Sequence, residues 1–146
     1  MAIEDISACP DLDFVGNKVT RIITRGLLIT TRGKVNVKNN HFVSTTMSGI
    51  LLSDDAKNWD ESGMCRDVTI ENNVFDYCGE TPILIKPENG RYEGAVHKNI
   101  KIIGNEFKSY KGCCISAKAT DDILVENNKF SGEKIKTQNC NNINVR

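Results

Sequence analysis

Two adjacent aspartates follow an apolar run in the segment ILLSDDAKNWDESGMC, residues 50–65. Because Asp54 and Asp55 repel each other, one can stay protonated near neutral pH while the other is ionised, as acid and base catalysis of glycoside hydrolysis requires. Trp59 offers an apolar face for stacking on a sugar ring, and Glu61 can bond sugar hydroxyls. The alternative interpretation is a solvated turn whose acids have no chemical role.

A second polar segment, KPENGRYEGAVH at residues 86–97, supplies candidate partners for these aspartates. Glu88 is the candidate for a second catalytic carboxylate, and Lys86, Arg91 and Tyr92 are candidates for binding the substrate. Long loops on a rigid scaffold commonly carry binding and catalytic residues. The two segments are therefore the predicted functional loops.

A repeat identifies the scaffold: apolar, any, apolar, any, any, Asn, any, apolar. Its five copies have asparagines at Asn17, Asn40, Asn73, Asn105 and Asn128, and a sixth copy begins at Ile143. Period-two alternation of β-branched and aromatic residues predicts a short strand before each asparagine, which suits a turn because it tolerates left-handed backbone geometry. A second apolar alternation follows, so each repeat is predicted to contain two strands. In the fourth copy, interpreted as two residues shorter, Cys113 and Ile115 are assigned to the second strand.

These repeats predict an all-β fold, a right-handed parallel β-helix of about five to six coils that forms one domain over residues 1–146. The asparagine spacings are 23, 33, 32 and 23 residues, which suits stacked coils whose asparagines bond one another as a ladder. A leucine-rich repeat has the same LxLxxNxL spacing but is disfavoured, because the apolar positions are mostly Val, Ile and Phe and a second strand follows. Residues 1–9 are a candidate cap.

The second and third coils are about ten residues longer than the others, which places insertions at residues 53–65 and 86–97. Insertions at the same point of adjacent coils must lie side by side, so the two segments should form one cleft. Counting from the asparagines aligns Asp55 with Arg32 in the coil below and with Glu88 in the coil above.

Six cysteines fit neither a zinc motif nor a small disulfide scaffold and are interpreted as core residues. Cys9 and Cys65 fall in register two coils apart, a distance of roughly 10 Å that exceeds the roughly 7 Å limit for a disulfide, so both should be reduced. A disulfide between Cys78 and either Cys113 or Cys114, which fall in neighbouring coils, is the one pairing that the sequence leaves open.

The charge balance argues against two classes of partner. Lys plus Arg and Asp plus Glu both number 19, so bulk charge supports binding neither to nucleic acid nor to a membrane. No apolar run approaches the roughly 20 residues of a membrane span, and MAIEDISACPDLDF lacks the pattern of a secretion signal. We therefore expect a soluble chain that recognises its partner through a local site and not through its overall charge.

Four residues at predicted outward positions of the second strand form an apolar column: Leu28, Leu51, Leu84 and Cys114. Either the chain's own loops cover this column, or the column is a surface for self-association. The open ends of the coils would also favour self-association. His41 and His97 are assigned ordinary surface roles. The acids lack the spacing of a calcium loop, so no metal site is predicted.

The stretches RGLLITTRGKVNVKNNHF, SGILLSDDAKNWDESGMCRDVTIENNVF and PILIKPE resemble the β-helix of glycoside hydrolase family 110, exo-acting α-1,3-galactosidases that remove terminal galactose from glycans. The resemblance covers about residues 10–130. It implies an inverting mechanism without metal or other cofactor, catalysis by Asp54 and Asp55, and a sugar pocket shaped by Trp59 and Glu61. It also implies a galactose-containing glycan as partner and an extracellular or periplasmic location.

Two departures from that family keep other functions open. Its members are several times longer, and the coil below Asp54 offers no carboxylate. The first alternative is a non-catalytic carbohydrate-binding β-helix. The second is a polyuronate lyase in which Arg32 or Lys86 acts as base while the acids bind calcium.

Overall fold

The computed structural model describes residues 5–56, 58, 63–79, 81–89, 91, 93–109 and 111–146. Within this part, a short 3₁₀ helix at Ile6–Ala8 precedes fifteen β-strands. In chain order they are β1 (Leu12–Val15), β2 (Lys18–Ile22), β3 (Leu27–Ile29), β4 (Val35–Lys38), β5 (His41–Thr45), β6 (Ile50–Leu52), β7 (Val68–Glu71), β8 (Val74–Cys78), β9 (Ile83–Ile85), β10 (His97–Ile103), β11 (Glu106–Lys108), β12 (Cys113–Lys118), β13 (Thr120–Glu126), β14 (Glu133–Gln138) and β15 (Ile143–Val145).

The strands form three parallel sheets that run along the solenoid. The first sheet has the order β1-β4-β7-β10-β13-β15, the second β2-β5-β8-β11 and the third β3-β6-β9-β12-β14. Coils 1 to 4 each contribute one strand to every sheet, coil 5 contributes β13 and β14, and β15 begins coil 6. The predicted right-handed parallel β-helix is confirmed.

The prediction of two strands per coil was wrong, because a strand of the second sheet follows the ladder asparagine in each of the first four coils. This strand is hard to detect because its alternation is broken by a residue with left-handed backbone, at Arg21, Ser44, Tyr77 and Ser109 in successive coils. Only one inward-facing apolar residue, such as Phe42, precedes that break, and a single residue shows no periodicity.

The predicted asparagine ladder is confirmed. In its centre, Asn40 Nδ2 donates to Asn73 Oδ1 at 2.9 Å, and Asn73 Nδ2 donates to Asn105 Oδ1 at 3.0 Å. The left-handed residue is one position earlier than predicted, at Gly16, Asn39, Asn72, Gly104 and Asn127. The ladder asparagines thus turn their amides inward, where Asn40, Asn73 and Asn105 are buried.

The core lies inside the coils and contains the inward residues of all three sheets. Phe42, Phe75 and Phe107 stack face to face in the second sheet, with ring centroids 5.2 and 5.1 Å apart. Their side chains are almost completely buried. A coil cannot bury this surface alone, so each one depends on its neighbours.

The cysteines follow the predicted register in part. All six are free thiols, as expected for Cys9 and Cys65. Cys113 and Ile115 lie on β12 as assigned, but Ile115 pairs with Ile83 and not with Ile85, so the fourth copy is not shortened and its predicted register was wrong by two residues. Ser116, and not Cys114, pairs with Leu84 and continues the outward column, and Cys114 is buried.

The N-terminal segment contains the 3₁₀ helix at residues 6–8, while residues 1–4 lie outside the described part. Its role as a cap stays a prediction. None of the helices in the described ranges is long and apolar enough to cross a membrane.

Candidate functional site

The two insertions leave the coils directly after β6 and β9 and lie against each other. The parallel ladder of these strands continues beyond them, since Lys86 N donates to Leu52 O and Glu88 N donates to Asp54 O, both at 2.9 Å. Ser53 Oγ also donates to Lys86 O at 2.8 Å. Because Leu52 pairs with Ile85, the predicted alignment of Asp55 with Glu88 is confirmed.

The two neighbouring aspartates line different cavities. Successive side chains of an extended backbone point to opposite sides. Asp55 lines an open groove of about 360 Å³, whereas Asp54 lines a separate pocket of about 270 Å³. The single cleft expected from the sequence is therefore two cavities that share one loop.

The larger cavity, named here the carboxylate groove, lies on the outer face of the third sheet. Its floor is apolar and consists of Leu28, Leu51 and Leu84. Asp55 and Glu88 lie at the end that follows β6 and β9, and Arg25 and Met47 lie at the end that precedes β3 and β6. Thr30, Ser53 and Lys86 occupy equivalent positions of three successive coils between them. The leucine column is thus the floor of a groove that ends in two carboxylates. Its role as a covered or self-associating surface stays a prediction.

Both carboxylates of this groove are held by neighbouring polar groups. Asn58 donates its backbone N–H to Asp55 Oδ1 at 2.8 Å, and its side-chain amide lies 3.1 Å from each oxygen of that carboxylate. Lys86 Nζ lies 2.6 Å from Glu88 Oε1. This ion pair is half exposed and contributes little to stability, but it orients Glu88 at the groove.

The smaller cavity, named here the arginine pocket, contains three charged candidates from the sequence. Arg32, Asp54, Arg91 and Asn89 line it, and Asp54 is only 4% exposed. Burial, together with the charge of Asp54, raises the pKa of Cys65 to about 12. That thiol therefore stays protonated at neutral pH and is a structural residue.

Trp59, Glu61 and Tyr92, which the sequence also placed in the sugar pocket, lie outside the described residues. Gly63, in the first insertion, packs closely on coil 1. A Cβ added at Gly63 would lie 1.9 Å from Thr30 O, so only glycine fits without a shift of the backbone. The first insertion is thereby anchored over the end of β3.

His97 joins the ends of the two insertions, which corrects its predicted surface role. It is fully buried, and its Nδ1 accepts a hydrogen bond from Cys65 N at 3.0 Å. Burial lowers its pKa from 6.5 to about 4, so the ring is neutral and carries its proton on Nε2. The repeat register carried a signal of this burial, because His97 occupies the same column as Cys65 in the preceding coil, which was interpreted as a core residue. His41 is exposed, as predicted.

The burial of His97 predicts acid lability. Because its folded pKa of about 4 lies below the unfolded value of 6.5, the unfolded chain binds more protons between these pH values. The free energy of unfolding should therefore fall by up to about 3 kcal/mol as the pH drops from 7 to 4. Urea unfolding at several pH values measures this effect. His97→Asn should show a shallower acid dependence, whereas His41→Asn should retain it; an unchanged slope in His97→Asn would contradict the assignment.

The described residues contain no group of three or more His, Cys, Asp or Glu side chains arranged to hold a metal ion. Asp54 and Asp55 would have to act together in the calcium site considered from the sequence. They face separate cavities, so the geometry gives that site no support.

Comparison with known proteins agrees with the fold. The model of the right-handed beta helix region matches residues 25–146. The chain is 41% identical to alpha-1,3-galactosidase A of Bacteroides thetaiotaomicron, a match that covers 100% of this chain and 28% of the relative. It is 42% identical to alpha-1,3-galactosidase A of Akkermansia muciniphila, over 91% of this chain and 23% of that protein.

A second type of relative is more distant. Alpha-1,3-galactosidase B of Bacteroides fragilis is 32% identical over 86% of this chain and 24% of its own length. The chain therefore spans about a quarter of the length of these curated relatives.

Proposed function

Because this chain belongs to the right-handed β-helix family and is similar over its full length to part of proteins named alpha-1,3-galactosidase, we propose that it forms the catalytic face of such an enzyme. These relatives agree with the resemblance to α-1,3-galactosidases with a β-helix that was stated from the sequence. The proposed reaction is the removal of terminal α-1,3-linked galactose from a glycan, with inversion at the anomeric carbon.

The observation that supports this proposal most directly is the carboxylate groove. Asp55 and Glu88 come from adjacent coils and line the same end of one groove, above the apolar floor of Leu51 and Leu84. An apolar floor suits the C–H face of a galactose ring, while carboxylates at one end suit its anomeric centre.

In the proposed reaction one carboxylic acid donates its proton to the glycosidic oxygen as the bond to the anomeric carbon breaks. The other carboxylate takes a proton from a water molecule, whose oxygen attacks the anomeric carbon from the opposite face. Inverting pairs are typically about 6.5–9.5 Å apart. The backbones of Asp55 and Glu88 are one coil apart, roughly 4.8 Å, so the two side chains must diverge across the groove.

The remaining candidates have supporting roles in this proposal. Arg32 and Arg91, with Asp54, would hold hydroxyls of the neighbouring sugar in the arginine pocket. Trp59, Glu61 and Tyr92 keep the substrate-binding roles expected from the sequence.

The test is an assay of galactose release from α-1,3-galactobiose, with a chelator present and α-1,4-galactobiose as the control substrate. Proton NMR during the first turnovers identifies the anomer released. Inversion should give β-galactose first, and blocking the terminal galactose should stop an exo-acting enzyme. Early release of α-galactose would contradict inversion, and no release from any galactoside would contradict the enzymatic proposal.

A non-catalytic carbohydrate-binding role is the second candidate, favoured by one observation. Both carboxylates of the groove already have close partners, Asn58 for Asp55 and Lys86 for Glu88, which suits fixed hydrogen-bond acceptors as well as a catalytic pair. Binding of galactosides without turnover would support it. A lyase has less support, because Lys86, one of the two candidate bases for that reaction, is paired with Glu88. The unsaturated product of a lyase would be detected by its absorption of ultraviolet light.

A further inference from the structure

A second groove continues from the carboxylate groove along the third sheet. It has a volume of about 340 Å³ and shares Leu84 and Lys86 with the carboxylate groove. Ser116, Lys118 and Lys136 line its continuation on the next two coils. We name it the lysine groove, because three of its lining side chains are lysines and none is acidic.

The register of the third sheet places these lysines close together. Ile85 pairs with Ala117, so Lys86 and Lys118 occupy equivalent positions one coil apart, with backbones separated by roughly 4.8 Å. Ser116 pairs with Lys136, which adds a third ammonium group on the following coil. Like charges at directly adjacent positions of a sheet are destabilising.

Two of these lysines form exposed ion pairs with acids. Glu88 pairs with Lys86, and Glu133 lies 3.2 Å from Lys136 in an ion pair whose side chains are at least half exposed. Such exposed pairs are weak and exchange readily for another anion. Ser116, Thr137 and Gln138 add neutral hydrogen-bonding groups to the same groove.

We propose that the lysine groove is a binding subsite for a sugar unit that bears an oxyanion, either a sulfate ester or a carboxylate. This inference rests on the proposed function, because the shared Leu84 and Lys86 would place the anionic unit next to the galactose bound over the carboxylate groove. The substrate class would then be anionic glycans that end in galactose, and the lysines would select among galactosides by charge.

Calorimetric binding tests the subsite without requiring catalysis. The probes are α-1,3-galactobiose, the same disaccharide with a sulfate ester on its reducing-side unit, and galactosyl-α-1,3-galacturonate. The anionic probes should bind at least tenfold more tightly than the neutral one at low salt, and the difference should shrink as salt screens the charges. Comparison of the sulfated and carboxylated probes distinguishes the two oxyanions.

Two variants connect the effect to the groove. Lys118→Gln combined with Lys136→Gln should abolish the preference for anionic probes and leave binding of the neutral disaccharide unchanged. Lys98→Gln, an exposed lysine of β10 on the first sheet, is the matched control and should have no effect.

The outcomes separate this inference from the proposed function. Equal binding of neutral and anionic probes, or a preference that survives the double variant, would overturn the lysine subsite while galactose release could still occur. A lysine-dependent preference without any galactose release would uphold the subsite and overturn the enzymatic proposal alone.

Discussion

Replacing Asp55 with asparagine, or Glu88 with glutamine, is expected to slow galactose release about 10²- to 10⁴-fold, the range that general acid or base catalysis contributes. Both substitutions preserve the size of the side chain and remove its ability to exchange a proton. Asp55 and Glu88 line one groove, so each loss should appear in kcat more than in KM. Steady-state kinetics with α-1,3-galactobiose measures both constants.

The matched controls are Asp76→Asn on β8 and Glu126→Gln on β13, which lie on other sheets and should leave the rate unchanged. Asp54→Asn is the discriminating variant. Because Asp54 lines the arginine pocket, its replacement should cost at most about tenfold and should raise KM. If Asp54→Asn abolished turnover while Asp55→Asn retained it, catalysis would belong to the arginine pocket.

Asn73→Ala is expected to lower the free energy of unfolding by about 4 kcal/mol, because several buried polar groups would lose their partners at about 1–3 kcal/mol each. Asn73 is 1% exposed, and its Nδ2 donates to Val37 O at 2.9 Å. Its Oδ1 accepts both the backbone N–H and the side-chain amide of Asn40, each at 2.9 Å. A loss of this size is a large part of the roughly 5–15 kcal/mol that stabilises a typical domain.

The same ladder offers a matched control at its end. Asn17 is exposed, and its side chain donates to Val15 O and Asn40 Oδ1, both at 3.2 Å. Asn17→Ala should therefore lower the free energy of unfolding by at most about 1 kcal/mol. Urea denaturation followed by circular dichroism measures both variants, and similar losses in the two would show that burial does not set the contribution of the ladder.

The architecture was predictable because its determinants are local and repeat. Val68 and Ile70 alternate as an inward-facing strand requires, and Asn73 follows at a fixed distance that recurs in the neighbouring coils. Repetition also gave the register, so the alignment of Asp55 with Glu88 followed from counting residues. The strand that contains Phe42 escaped prediction because its left-handed residue interrupts the alternation.

The candidate residues were predictable by type, while their grouping was not. By itself, the sequence determined the coil, the asparagine ladder and the place of the two insertions, because each depends on periodic contacts between equivalent residues. Only the tertiary structure decided that Asp54 and Asp55 face different cavities, that His97 is buried between the insertions and that three lysines line one groove. These features depend on how irregular loops and successive coils lie against one another in space, and a pattern along one chain does not contain that information.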